Sequence, residues 1–140
     1  NCHPYLIQYL CMKLIERMND HKYNTVNLND INPLIEEITT SPTHEMVFLP
    51  LWDEFNELQQ RTLAMVATHS DTYEQGVLIR TLVNAYQTMG DNVASDDIVR
   101  VCMSLKDADI LHRSISPDGE TYRISIPMYE KWLKFNKAVT

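Results

Sequence analysis

The chain holds only three glycines in 140 residues. That scarcity argues against loops that cradle phosphate on backbone N–H groups, which need closely spaced glycines. No Gly-x-x-x-x-Gly-Lys run, no Gly-x-Gly-x-x-Gly run and no serine nucleophile elbow occurs. Cysteine is equally sparse. Cys2, Cys11 and Cys102 are odd in number and show no paired spacing. This excludes a disulfide framework and points to a reduced, intracellular chain. No apolar run reaches about 18 residues, so no membrane span is expected. Positive charge is short too: 12 Lys and Arg stand against 19 Asp and Glu, for a formal net charge of −7. A dominant nucleic-acid function needs the opposite balance. The five histidines, His3, His21, His44, His69 and His112, include no pair at helical i, i+4 spacing and no Cys–His run. No metal site is expected from them. The adjacent carboxylates Glu36-Glu37 and Asp96-Asp97 fall at polar helix positions and read as solvated faces. No catalytic residue is expected.

What is present is a globular composition, 44% apolar and 22% charged. The length suits one domain or two small ones. The stretch from Ser95 to Ile126 organises the rest. Ser95 is placed to cap a helix, and Asp96 and Asp97 suit the positive end of its dipole. Ile98, Val101, Cys102 and Leu105 follow at helical spacing. From Asp109 the period changes to two. Leu111, Arg113 and Ile115 alternate with polar residues, and after the turn Ser116-Pro117-Asp118-Gly119 so do Tyr122, Ile124 and Ile126. A helix followed by a hairpin is the C-terminal half of a winged helix.

Ahead of this unit, a helix is expected over 3–18. Pro4 lies in its first turn, and Leu6, Ile7, Leu10, Cys11, Leu14, Ile15 and Met18 make one apolar stripe. A shorter helix carries Ile31, Leu34, Ile35 and Ile38, capped by Asn29 or by Asn32 with Pro33 at the first position. Ser41-Pro42 ends it. Phe48, Leu51, Trp52 and Phe55 form a bulky face, and Pro50 inside it should kink or restart the helix. Asn56 with Gln59 has capping-box spacing ahead of a helix bearing Leu58, Leu63, Val66 and Ala67. A further helix is expected over 71–89, with Asp71 and Glu74 as a second capping box, Gly76 as a weak interior point and Gly90 as its stop. After Pro127 a closing helix carries Met128, Tyr129, Trp132, Leu133 and Phe135. Trp52, Phe55, Trp132 and Phe135 are expected in the core.

Several short motifs come in a recognisable order: His3-Pro4-Tyr5-Leu6 with Gln8, Leu51-Trp52-Asp53, Asp109-Ile110-Leu111, and Arg123-Ile124-Ser125-Ile126-Pro127 with Trp132-Leu133. The order resembles the C-terminal region of prokaryotic STAND-type P-loop ATPases related to AAA+ proteins. The resemblance implies a mainly α fold, with a helical lid remnant over 1–41 and a winged-helix domain over 42–140 that ends in a β-hairpin wing. A Gly-x-Pro motif opens the lid helix in that family, and its proline packs near the adenine. Cys2-His3-Pro4 stands in that place here, with Cys2 for the glycine. His3, Pro4 and Tyr5 are therefore the expected nucleotide-adjacent residues of an intact protein. Asn1 in place of Met, directly before a strong helix, leads to the expectation of a longer protein. ATP or ADP with magnesium is expected for that intact ATPase and no cofactor for this part, which lacks the Walker motifs.

Charge then separates the functional readings. In winged helices that read DNA, the third helix enters the groove. Here its first turn carries Asp96 and Asp97, and the wing turn carries Asp118 and Glu120. The expected role is a non-catalytic, cytoplasmic regulatory region whose winged helix contacts protein in a nucleotide-dependent switch. The partners would be the rest of its own ATPase chain and further copies of it. The competing reading is a DNA-binding transcriptional regulator, with Arg113 and Arg123 as a small basic patch. A third is a dimerising module that uses the stripe from Leu6 to Met18.

Overall fold

The computed structural model describes residues 4–21, 28–70 and 76–138. Helix α1 spans Pro4–His21 and α2 spans Leu28–Thr40. A 3₁₀ helix, Pro42–Val47, leads into the short α3, Leu49–Asp53. Then come α4 (Glu57–His69), β1 (Val77–Leu78), α5 (Ile79–Thr88), α6 (Ser95–Asp107), β2 (Leu111–Ser116), β3 (Gly119–Ile124) and α7 (Pro127–Asn136). The fold is mainly helical, with one antiparallel three-stranded sheet in the order β1-β3-β2.

Local chemistry accounts for most boundaries. At α4, the Asn56 side chain accepts from the Gln59 N–H at 2.9 Å, and the Gln59 side chain accepts from the Asn56 N–H at 2.9 Å. Two orphan donors are thereby satisfied reciprocally. Pro50 sits in the first turn of α3, where its missing N–H costs nothing, so the chain restarts there as expected. Gly90, at φ +81°, closes α5. Asp91 N–H bonds the Tyr86 carbonyl and Gly90 N–H bonds that of Gln87, both at 3.0 Å, a Schellman pattern. The same pattern ends α6 on a non-glycine residue. Asp109 adopts φ 62°, its N–H reaches the Lys106 carbonyl at 2.9 Å, and Ile110 N–H reaches Leu105 at 3.0 Å.

The hairpin forms in the expected register, with Ser116 opposite Gly119 and Leu111 opposite Ile124. On β3 and just past it the alternation is clean: Tyr122, Ile124 and Ile126 are buried and the residues between them are not. On β2 it fails at the tip, where Ile115 is 77% exposed.

Other expectations are corrected. The helix expected over 71–89 begins only at Ile79. Asp71 and Glu74 lie outside the described residues, and Val77-Leu78 pair with Tyr122 and Thr121 of β3 instead. Gly76 is therefore not a helical weak point. A Cβ there would stand 2.7 Å from Thr121 Cβ and 3.1 Å from Tyr122 N, so the close approach of the chain to β3 needs glycine. Helix α2 starts at Leu28, which places Asn32 and Pro33 inside it. As the sixth residue of α2, Pro33 lacks the N–H that would bond back to the preceding turn. Burial of Leu34 and Ile38 against the core outweighs that loss. Ser95 is the first residue of α6 and not its cap; Ala94 holds that position and makes no side-chain bond. Phe135 is 62% exposed rather than core, because the buried face of α7 runs through Met128, Tyr129, Trp132 and Leu133.

One apolar cluster joins Leu6, Leu34 and Ile38 to the strands and to α4–α7. At its centre, Trp132 stacks on Phe48 at 5.3 Å between ring centroids and on Tyr129 at 5.9 Å, and Trp52 meets Trp132 edge-on at 6.3 Å. Trp52 and Phe55 pack against this cluster half-buried. Burial also pushes the Cys102 thiol up to about 12 and the Tyr129 phenol above its usual range. Asn136 ties the end of α7 to α2 through the Thr39 carbonyl at 3.2 Å.

Candidate functional site

Two surfaces carry the charged side chains that sequence reading singles out. The first is α6 with the hairpin. The Schellman turn at Asp109 ends α6 just ahead of β2. Ser125 at the end of β3 then ties the corner: its N–H donates to the Ile110 carbonyl at 2.9 Å, and its hydroxyl to the Asp109 carbonyl at 2.6 Å. Asp96 and Asp97 are exposed at the start of α6. Arg100, with its side chain 79% exposed, lies 3.4 Å from Asp97 across one helical turn. Arg113 on β2 pairs with Glu120 on β3, and that carboxylate holds the guanidinium pKa above its ordinary value. Lys106 sits in the last turn of α6 and Arg123 is half-buried on β3. Two of these four cations therefore stand against carboxylates on the surface itself. Such pairs contribute little to stability, but they cancel the local field that a polyanion would need.

The second surface is a cleft of about 400 Å³ between α1, α2 and the 3₁₀ helix, lined by Lys13, Glu16, Arg17, Asp20, Glu37 and His44. His44 is nearly buried. Its Nδ1 lies 2.6 Å from the Tyr9 hydroxyl and its Nε2 lies 3.8 Å from Glu37 Oε1. The Tyr9 hydroxyl is within hydrogen-bond distance of His44 whichever ring tautomer is present. This bond ties α1 to the 3₁₀ helix across 35 positions of sequence. Nothing in the local pattern around Tyr9 or His44 announces it.

The described residues lining this cleft do not fit ATP with magnesium. The cleft offers Lys13 and Arg17 among three carboxylates, with Lys13 already 3.3 Å from Glu16. Among the described residues no group of three His, Cys, Asp or Glu is placed to hold a metal ion. His3 lies outside the described residues. Pro4 opens α1, as its sequence position suggests, and Tyr5 follows; their side chains also lie outside the described ones. Of the other histidines, His69 and His112 are exposed and far apart in the chain. No helix among the described residues is long and apolar enough to cross a membrane. In comparisons with known proteins, no family model, no curated protein and no solved structure matches this chain.

Proposed function

We propose that α4, β1, α5, α6, β2 and β3 form a winged helix whose exposed face contacts protein. In this reading the chain is a cytoplasmic, non-catalytic regulatory region of a STAND/AAA+-type ATPase. The nucleotide, ATP or ADP with magnesium, belongs to a core elsewhere in that longer protein, with His3, Pro4 and Tyr5 beside it. The element order supports the winged helix: helix, short strand, two helices and a hairpin, with the short strand joined to the second hairpin strand. The resemblance noted above supports the ATPase context.

The observation that carries the protein-contacting role is the charge arrangement on α6 and the wing. Two carboxylates occupy the first turn of the helix that would enter a DNA groove, and Arg100 and Arg113 are each neutralised by a neighbouring acid. A face of that kind loses the counterion-release term that supplies most non-specific DNA affinity. A gel shift of the chain on duplex DNA at about 50 mM salt tests this. The expected result is no retardation at micromolar protein. Tight retardation that vanishes as salt is raised would restore the DNA-binding regulator and refute the proposal.

A further inference from the structure

Lys137, at the C-terminal end of α7, ends on aromatic rings rather than on an acid. Its N–H bonds the Leu133 carbonyl at 2.8 Å, which fixes the backbone there. Its Nζ stands 5.1 Å from the centroid of the Trp52 ring and 5.7 Å from that of Trp132. The two indoles lie 6.3 Å apart at 69°, so they make a corner, with buried Trp132 as one wall and half-buried Trp52 as the other. Both distances are within the reach over which a ring face attracts a cation. The Tyr129 phenol, stacked on Trp132, is pushed up by burial and then by the charge of Glu54, so a carboxylate also lies close by.

The corner attracts the charge of Lys137 without satisfying its chemistry. A primary ammonium carries three N–H donors. Among the described residues no carboxylate pairs with Lys137, and no acceptor takes a hydrogen bond from its Nζ. A strongly hydrated group thus gives up water for contact with ring faces alone. Holding its long stem in one rotamer costs entropy of the same order as that contact returns, so the hold is weak. A cation of the same shape with methyl groups in place of the three N–H has no donors to leave unmet, and its methyls touch both rings. We propose that the Trp52–Trp132 corner is a binding site for a trimethylated lysine side chain of another protein, and that Lys137 plugs it until that side chain takes its place. The present occupant selects the stem: the corner already receives an ammonium on an unbranched aliphatic chain. Trp52 and α7 lie outside the winged-helix elements, so the site stands or falls apart from that reading.

The corner holds both tryptophans of the chain, so intrinsic fluorescence reads it without a label. The probe is a short alanine peptide carrying one trimethyl-lysine, titrated into the whole chain at constant ionic strength. Saturable quenching with a Kd on the order of 1 mM is expected. Lys137→Ala removes the plug and should tighten binding by about tenfold. Lys137→Arg keeps an occupant and should bring no such gain. Trp52→Leu should abolish binding with an unchanged circular dichroism spectrum, Trp132 still reporting. The same peptide with unmodified lysine, and choline, should each bind at least about tenfold more weakly. No saturable quenching in the Lys137→Ala chain would overturn the proposal. So would an affinity that Lys137→Ala leaves unchanged, a folded Trp52→Leu chain that still binds, or equal binding of the unmodified peptide or of choline.

Discussion

Replacing Gly76 by alanine separates two folds by the sign of one number. If residues 71–89 formed a continuous helix, alanine would be the better helix former and would stabilise the protein by about 1 kcal/mol. In the structure Gly76 precedes β1, and an added Cβ would sit 2.7 Å from Thr121 Cβ, 2.8 Å from Thr121 Oγ1 and 3.1 Å from Tyr122 N. The backbone nitrogen is held in the β1–β3 ladder, where Val77 faces Tyr122. It has little room to give. Overpacking of this kind costs about 1–3 kcal/mol, a fall in melting temperature of roughly 3–15 °C for a domain this size. Thermal and urea denaturation followed by circular dichroism measure it directly. A double-mutant cycle with Thr121→Gly adds a check, because that change removes both side-chain contacts. The pair should then lose less than the sum of the single changes. A Gly76→Ala protein that melts higher than the parent, or additive costs in the cycle, would refute the placement of β1 against β3.

Two further outcomes follow from the caps and the buried thiol. Asn56→Ala removes one half of the reciprocal cap on α4 and should cost about 0.5–2 kcal/mol, whereas Asn56→Asp should cost much less; urea midpoints at constant m-value report both. Cys102 has a native-state value pushed up to about 12, so the native chain keeps a proton that the unfolded chain gives up. Its contribution to stability is fully present below the unfolded thiol's value and falls as pH rises through the native one. The raised Tyr86 and Tyr129 phenols act in the same direction at still higher pH. Melting temperature should therefore drop steadily above about pH 9, and a flat profile to pH 10.5 would contradict the burial of these groups.

Elements whose determinants are local were legible in the sequence. The hairpin combined period-two alternation on β3 with a Pro-Asp-Gly turn. The α4 cap needed only Asn56 and Gln59, and the stops at Ser41-Pro42 and Gly90 needed one residue type each. What escaped depended on partners distant in the chain. β1 is two residues long, too short to show a period, and exists because β3 offers an edge. Pro33 looked like a helix start because its cost in an interior is real, yet Leu34 and Ile38 are buried strongly enough to carry the helix through it. Phe135 shares the spacing of its buried neighbours, and only the position of the core shows that it points away from it. The single stripe read on α1 is two faces for the same reason: Leu6 is buried, while Ile7 and Ile15 are exposed. The surface chemistry divides likewise. The acids of α6 and the wing could be counted in advance, but the pairing of Arg113 with Glu120 and the meeting of Tyr9 with His44 required the folded chain.

The corner at Asp109 bears on how force would travel through this protein. The last turn of α6 accepts from the N–H groups of Asp109 and Ile110, and Ser125, just past β3, donates to the carbonyls of the same two residues. With both ends of the hairpin rooted at that pair of residues, a load on the exposed tip at Ile115 would meet α6 at its last turn.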